Sequence, residues 1–191
     1  MSTGPRAPTR RLFLALWPTV AERRALQAAS AAVLQASHAL AVPPENLHLT
    51  LAFLGAVPAA RAAELAALSG ELAAAWDAGP VALTWTGLEY WKRPQILAAV
   101  TVAGCAAAAE LATRLKRAAV AAGFSPDLKP FRAHVTVARK AAAVAAAELP
   151  GVLWNCTSLA LVESRTSESG PVYSVLDSQL LGKREKMRRQ H

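Results

Sequence analysis

The stretch His48-Leu49-Thr50-Leu51-Ala52-Phe53-Leu54-Gly55 decides how this chain is interpreted, because its pattern returns later as His134-Val135-Thr136-Val137-Ala138-Arg139-Lys140. Each copy places a histidine, an apolar residue and a threonine in a run that is typical of a buried strand. Side chains alternate between the two faces of a strand, so the histidine and the threonine of each copy share one face. Two such strands can therefore supply two imidazoles and two hydroxyls to a single site.

The composition is that of a folded chain without a membrane segment. The 191 residues are 53% hydrophobic and 18% charged, which predicts one large domain or two small lobes around a shared core. No apolar run reaches the roughly 18 residues of a membrane span, and the basic N-terminus lacks the apolar core of a secretory signal. Cys105 and Cys156 stand in isolated contexts, which favours a reducing compartment. We expect a cytoplasmic monomer with no membrane partner.

Most of the formal net charge of +8 lies at the two ends of the chain, in residues 1–11 and 183–191. We expect residues 1–10 and 183–191 to be basic, disordered tails that add at most a non-specific attraction to nucleic acid. Any specific basic site in the body of the protein must then consist of a few placed residues.

Hydrophobic patterning divides the body of the chain into two similar halves. The first half predicts a strand at 12–17, a helix from the Thr19 capping box to about Leu40, the first His-x-Thr strand, a helix at 59–78 and a strand at 81–90. The second half predicts a strand at 96–103, a helix at 105–122, the second His-x-Thr strand, a short helix at 141–148, and strands at 153–163 and 172–181 around a polar loop at 164–171.

This repeat predicts the fold class. We expect an α+β, bilobal fold with pseudo-two-fold symmetry, in which two antiparallel-rich sheets face a central cleft and the helices lie outside. Residues 11–182 would form this single domain, with lobes of approximately 11–91 and 92–182 and with exchange of the terminal strands between lobes left open. A single flat α/β sheet without a cleft is the alternative.

The paired histidines, His48 and His134, favour acid-base catalysis. An imidazole titrates near pH 6.5, so one histidine can take a proton from an attacking oxygen while the other gives a proton to a leaving oxygen. This pair suits in-line displacement at a phosphodiester, where the hydroxyls of Thr50 and Thr136 can donate hydrogen bonds to the phosphoryl oxygens. The remaining histidines, His38 and His191, we assign to the surface.

A guanidinium would add to phosphate binding, because it is planar and permanently charged. Arg139 is the first candidate, although a regular strand would direct it to the face opposite His134. We therefore predict a bend or a strand end between the two residues. Arg132 has the parity to face the cleft and is the second candidate. A surface position is the alternative for Arg139.

Metal and cofactor sites have weak support in the sequence. Zinc needs three or four ligands, and apart from Glu45 no acidic residue or cysteine lies within three residues of His48 or His134. No P-loop or dinucleotide-binding fingerprint is present. We therefore expect neither a metal nor a cofactor.

Aromatic residues near the motifs are candidates for stacking on a nucleobase. We single out Phe13 and Tyr173, and Tyr173 follows the polar loop that we expect at the border of the cleft. Trp17 and Phe53 are expected in the core, and Phe131 is expected to serve packing.

These motifs resemble those of the bacterial and archaeal RNA 2′,3′-cyclic phosphodiesterases, formerly described as 2′-5′ RNA ligases, within the two-histidine phosphoesterase superfamily. Residues 11–18 resemble the family's opening strand, 46–55 and 134–139 its two His-x-Thr-x motifs, and 161–165 with 170–176 its closing hairpin. The resemblance implies a bilobal fold and a metal-independent opening of a terminal 2′,3′-cyclic phosphate of RNA to a 2′-phosphate.

The same resemblance implies a role for each site residue. His48 would be the proton donor to the leaving 3′ oxygen, and His134 would be the proton acceptor that activates water. Thr50, Thr136 and Arg139 would bind the phosphate of the substrate.

One position departs from the family pattern, which usually has proline where this chain has Ala133. Alanine frees φ and restores an N–H, so we expect a looser approach to His134 and at most an altered rate or substrate preference. Three functions remain open beside the cyclic phosphodiesterase. They are a related enzyme for another nucleotide or oligonucleotide, a 2′-5′ RNA ligase, and a binding module for RNA ends without turnover.

Overall fold

Two antiparallel sheets with helices on their outer faces make up the part of the chain that the computed structural model describes, residues 7–101, 105–141, 145–167 and 170–182. The strands are β1 Thr9–Leu16, β2 Leu40–Ala41, β3 Leu49–Pro58, β4 Val81–Trp91, β5 Ile96–Val100, β6 His134–Arg139, β7 Ala147–Cys156, β8 Ser158–Ser167 and β9 Gly170–Leu180. The helices are α1 Val20–Ser37, α2 Ala62–Ala75 and α3 Ala106–Ala121, and short 3₁₀ turns lie at Pro44–Asn46 and Ala59–Arg61.

The two sheets have matching strand orders. One is β3-β1-β8-β9, and the other is β2-β6-β5-β4-β7, in which β2 is a short extra edge strand. The His-x-Thr motifs begin β6 and enter β3, and each motif strand pairs with the first strand of its own half, β5 or β1. Strands from both halves of the chain enter both sheets, because β4 joins the second sheet while β8 and β9 complete the first. The predicted α+β fold with two facing sheets is confirmed, and the single flat sheet is excluded.

The hydrophobic core lies between each sheet and its helices. In β1, Leu12, Leu14 and Leu16 are fully buried in this core, whereas Phe13 and Ala15 point to the opposite face. Helix α1 packs against β7, α2 against β8 and β9, and α3 against β3. The helix-free face of each sheet is therefore left for the cleft.

Each His-x-Thr strand contains a β-bulge directly after its threonine. Thr50 lies opposite Ala15, but Ala52 lies opposite Leu14, so that one extra residue is inserted into β3. The equivalent insertion in β6 follows Thr136. A bulge shifts the alternation of side chains by one position. This shift returns Arg139 to the face of His134, and it confirms the predicted bend between these two residues.

The N-terminal capping box is confirmed, but the predicted end of α1 is wrong. The helix ends at Ser37, and His38 adopts a left-handed conformation with φ of 50°. Leu40, which was expected in the helix, lies in β2 and pairs with Arg139 at the sheet edge. The helix therefore ends before Pro43 and Pro44, because Leu40 and Ala41 pair with β6 instead.

The predicted end of α2 at residue 78 is also wrong, because the helix stops at Ala75. Trp76 follows in an extended conformation, and its buried ring donates a hydrogen bond from Nε1 to the carbonyl of Gly79. Burial of this large side chain fixes the helix end before the Gly-Pro pair.

The short helix predicted over 141–148 is wrong in its described part. Ala145 and Ala146 have no regular structure, and Ala147 and Glu148 begin β7; residues 142–144 lie outside the described residues. Pairing of Ala147 and Glu148 with β4 overrides the helix propensity of the alanine run. The repeat is therefore incomplete after the second motif.

The closing strands also differ from the prediction. The run at 153–163 spans the end of β7 and the start of β8, with a break at Thr157, so three strands close the domain instead of two. The polar segment at 164–171 continues β8 to Ser167 and re-enters β9 at Gly170, and residues 168–169 lie outside the described residues. The described residues of this segment therefore belong to two paired strands rather than to a loop.

The expected termini of the domain require smaller changes. Thr9 and Arg10 already belong to β1, so the tail predicted for residues 1–10 is shorter in its described part. Strand β5 ends at Val100, short of the predicted residue 103. Residues 1–6, 102–104 and 183–191, which include most of both predicted tails and His191, lie outside the described residues. Within the described residues, no helix is long and apolar enough to cross a membrane.

Replacing Thr19 by alanine should lower the free energy of unfolding by about 1 kcal/mol, the usual cost of losing an N-cap side chain. The Thr19 hydroxyl accepts a hydrogen bond from the Glu22 backbone N–H, and the Glu22 carboxylate accepts one from the Thr19 backbone N–H. Urea unfolding of Thr19→Ala measures the loss. Thr113→Ala, at an exposed position inside α3, is the matched control and should cause no loss. Equal stability of the two variants would contradict the capping role.

Candidate active site

A cavity of about 90 Å³ lies between the two sheets, at the point where the His-x-Thr strands face each other. This volume equals that of about three liquid water molecules, which suits one compact polar group rather than a nucleoside. The cavity is lined by Val42, Asn46, His48, Thr50, His134, Thr136, Arg139 and Tyr173.

The imidazole of His48 is fixed by hydrogen bonds from both ring nitrogens. Nδ1 lies 2.7 Å from the backbone carbonyl oxygen of Asn46, and Nε2 lies 3.1 Å from Oγ1 of Thr50. A carbonyl oxygen only accepts, so we assign the ring hydrogen to Nδ1. In the neutral ring, Nε2 is then the acceptor of the Thr50 hydroxyl.

Three aromatic rings surround His48. Phe13 stacks on the imidazole with ring centroids 4.8 Å apart, Trp17 stacks at 5.5 Å, and Tyr173 meets it edge-on at 5.1 Å. Phe13 is only 3% exposed. The predicted stacking residue Phe13 therefore supports the imidazole and has no free face for a nucleobase. Trp17, predicted to lie in the core, contacts the imidazole of the site instead.

Arg23 is a site-supporting residue that the sequence analysis missed. Its guanidinium lies over the Trp17 ring at 4.8 Å and donates hydrogen bonds to the backbone carbonyls of Pro18 and Glu45. These contacts tie the start of α1 to the segment that precedes His48. The available signal was helical spacing, because Arg23 lies on the same buried face of α1 as Leu26.

His134 is held by a different set of neighbours. Its Nδ1 lies 2.8 Å from the backbone carbonyl oxygen of Arg132, so this ring also carries its hydrogen on Nδ1. The indole of Trp91 lies 4.6 Å from the imidazole, and the Arg132 guanidinium lies over the same indole at 4.5 Å. Glu89 binds both residues, through Trp91 Nε1 at 2.9 Å and Arg132 Nη2 at 2.5 Å.

The second candidate phosphate ligand, Arg132, is therefore already paired with Glu89, which sequence analysis missed.

Ala133, at the position where the resembled family usually has proline, is 6% exposed and packs in the core. Burial of Ala133 and the hydrogen bond to the Arg132 carbonyl fix the approach to His134. The effect of alanine at this position on rate or substrate preference stays a prediction.

Arg139 and Tyr173 close the cavity opposite the two threonines. Nη2 of Arg139 donates a hydrogen bond to the Tyr173 hydroxyl at 3.1 Å. Tyr173, predicted as a stacking residue, thus also orients the guanidinium. Phe53, predicted to lie in the core, lines the cleft instead, because the bulge in β3 turns it to the face of Thr50. Phe131, predicted to serve packing, does pack against the core and also lines a groove of the cleft.

Both histidines favour their neutral form in the free protein. Burial lowers the pKa of His48 from 6.5 to about 4, with smaller contributions from the positive charges of Arg139, His134 and Arg23. Burial also lowers the pKa of His134, and the neighbouring Arg132 adds to this effect. An anion bound between the rings would act in the opposite direction, because it stabilises the imidazolium. The electrostatics of the cavity therefore favour a bound anion.

The described residues contain no group of three or more His, Cys, Asp or Glu side chains placed to hold a metal ion. Both cysteines are free thiols, and burial raises the pKa of Cys156 to about 12. A thiol with such a pKa stays protonated and unreactive at neutral pH.

Comparisons with known proteins identify the family of this chain. Residues 13–168 match the family model described as the 2′-5′ RNA ligase superfamily. A relative named RNA 2′,3′-cyclic phosphodiesterase from Thermus thermophilus is 33% identical over 87% of this chain and 88% of its own. A relative of the same name from Escherichia coli is 30% identical over 60% of this chain and 62% of its own.

A solved structure adds a three-dimensional comparison. The crystal structure of Escherichia coli LigT complexed with 3′-AMP superposes with a TM-score of 0.78 and 26% sequence identity, and the match covers 92% of this chain and all of LigT. The family model spans well over half of the chain, and the Thermus thermophilus relative matches nearly all of it. The chain therefore belongs to the 2′-5′ RNA ligase superfamily, whose members are two-histidine phosphoesterases.

Proposed function

We propose that this protein is an RNA 2′,3′-cyclic phosphodiesterase, which hydrolyses a terminal 2′,3′-cyclic phosphate to a 2′-phosphate without a metal ion. One observation carries the proposal: two imidazoles and one guanidinium line a single cavity of about 90 Å³. Because Nδ1 of each histidine is bound to a backbone carbonyl, Nε2 is the atom left to exchange a proton. The names of the Thermus thermophilus and Escherichia coli relatives support this choice of substrate.

The reaction is an in-line displacement at phosphorus. His134 Nε2 takes a proton from water as the water oxygen bonds to phosphorus, and His48 Nε2–H gives a proton to O3′ as the P–O3′ bond breaks. The products are a 2′-phosphate and a free 3′-hydroxyl. Proton exchange with solvent then returns His134 to its neutral form, and it protonates His48 again when the next anionic substrate binds.

The threonines and Arg139 stabilise the charge that develops on the phosphoryl oxygens. In the free protein the Thr50 hydroxyl is bound to Nε2 of His48. Protonation of His48 turns Nε2 into a donor and releases the Thr50 hydroxyl to donate to the phosphate. The hydrogen bond from Arg139 to Tyr173 holds the guanidinium in place before substrate arrives, which lowers the cost of ordering it.

The assignment of His48 as proton donor and His134 as proton acceptor follows the family resemblance. It requires that substrate binding change the protonation state of His48. A proton donor must be protonated, whereas burial in the free protein lowers the pKa of His48 to about 4. The negative charge of the cyclic phosphate must therefore raise the pKa of His48 when the substrate binds.

The same cavity would accept a 5′-hydroxyl in place of water, and this exchange turns hydrolysis into 2′-5′ ligation by the same residues. A monomeric state and a cytoplasmic location stay predictions.

A short RNA with a 2′,3′-cyclic phosphate end, incubated with the protein and a chelator, tests the proposed function. We expect a 2′-phosphate product, separated from the 3′-phosphate by chromatography. His48→Ala and His134→Ala should each lower kcat by roughly 10²–10⁴-fold, the usual contribution of a general acid or base. His38→Asn, at the C-cap of α1, is the control and should retain full activity. Binding of the RNA without turnover would contradict the proposal, and a 3′-phosphate product would overturn the assignment of O3′ as the leaving atom.

A substrate with sulfur in place of O3′ separates the two histidine roles, because a thiolate leaves without a proton donor. Hydrolysis of this substrate by His48→Ala should approach the wild-type rate, while His134→Ala should stay impaired because it lacks the base. The rates are measured with a thiol-reactive dye. Rescue of His134→Ala instead of His48→Ala would reverse the assignment of acid and base.

A further inference from the structure

A second, larger opening adjoins the active site on the side of His134. It has a volume of about 380 Å³ and shares Thr50 and His134 with the central cavity. It continues into a depression of about 510 Å³ on α3, because Lys116, Lys129 and Phe131 line both. We call this continuous surface the lysine trough and define it by Lys116, Arg117, Lys129, Phe131 and Arg132.

The lysine trough has a largely apolar floor, and most of the charged side chains that line it are cations. Among the described residues that line it, the sole carboxylate is Asp127, which lies 3.6 Å from Nζ of Lys129 and accepts a hydrogen bond from the Lys129 backbone N–H. The Lys129 side chain is 85% exposed, so its charge is available to a ligand. Arg117 is also exposed. Four of the thirteen lysines and arginines of residues 12–182 thus lie along one path that leads to the reacting cavity, and one of them, Arg132, is paired with Glu89.

The wall of the trough is anchored rather than loose. Nζ of Lys116 donates a hydrogen bond to the backbone carbonyl of Lys129 at 2.8 Å, and the Asp127 backbone N–H donates to the carbonyl of Phe53 at 2.8 Å. These bonds hold the loop that follows α3 against both the helix and β3. The backbone of this loop and the Lys116 ammonium are therefore held in place before any ligand binds.

We propose that the lysine trough binds the sugar-phosphate backbone of the RNA strand upstream of the reacting end. This inference rests on the proposed function and extends it, because the central cavity of about 90 Å³ holds the reacting phosphate and leaves the upstream strand without a site. Successive phosphates follow the cationic path, and the Phe131 ring offers an apolar face to a base. Phe53 lines the openings on both sides of the site. A strand whose terminal ribose lies beside His48 enters the trough by passing over this ring.

The test compares kcat/KM for two substrates, a nucleoside 2′,3′-cyclic phosphate and an RNA of about six nucleotides ending in the same group. The variant Lys116→Gln/Lys129→Gln removes two charges of the trough but retains polar side chains. We expect kcat/KM for the RNA to fall on the order of tenfold at physiological salt, because two phosphate contacts are lost. The value for the mononucleotide should stay unchanged. Arg24→Gln/Arg114→Gln, the same exchange at two exposed cations outside the trough, is the matched control and should leave both values unchanged.

Salt dependence provides a second readout. The slope of log kcat/KM for the RNA against log salt concentration should become less steep by about 1.4 in the double glutamine variant, since each contact with a single strand contributes roughly 0.7. An equal fall in kcat/KM for both substrates, or no fall for the RNA, would overturn the proposal that the trough binds RNA. Failure of the wild-type protein to hydrolyse either substrate would instead overturn the proposed function.

Discussion

The bulge after the threonine of each His-x-Thr strand is the constraint on which the site depends. In a regular strand, the histidine and the threonine would face the cleft, but the residue three positions after the threonine, Phe53 or Arg139, would face the core. The extra residue, Leu51 in β3 and Val137 in β6, stays in the core and lets the next cleft position return to the correct face. Pairing with β1 and β5 fixes both bulges, so the geometry of the site follows from sheet register rather than from loops.

The two motif strands have the same backbone arrangement but different side chains, so the two sides of the site differ chemically. Phe53 and Arg139 occupy equivalent positions of the two motif strands, so a guanidinium lies on one side of the site and an apolar ring on the other. His48 is enclosed by Phe13, Trp17 and Tyr173, whereas His134 lies beside Trp91 and the charged Arg132. Two chemically identical imidazoles therefore experience different surroundings, as a pair with opposite proton-transfer roles requires.

The motifs and the periodicity of the strands were enough to predict the fold class and to select the residues that meet in the cavity. His48, Thr50, His134 and Thr136 follow from strand parity, and the position of Arg139 required the added assumption of a bend. The residues that sequence analysis missed act through tertiary contacts. Glu89 and Arg23 reach the site from another strand and from a helix, and nothing in their own segments indicates what they touch.

The wrong predictions of secondary structure also arise from tertiary contacts that the local sequence does not record. The alanine-rich segment before Pro150 has a strong helix propensity, yet Ala147 and Glu148 form a strand because β4 offers an open edge for pairing. The break at Thr157 likewise separates β7 from β8, which belong to different sheets. Local sequence does not record which sheet a strand will join, so these boundaries depended on long-range pairing.

If one phosphate group binds between the two histidines, both imidazoles must respond to it, and an NMR titration measures that response. The Hε1 resonances of His48 and His134 are followed against pH with and without saturating inorganic phosphate, with His38 as an internal reference. We predict that His48 titrates near pH 4 in the free protein, because burial opposes its charge. We also predict that phosphate raises the pKa of both histidines, because the anion stabilises each imidazolium. A phosphate-induced rise in the pKa of only one histidine would contradict a shared site.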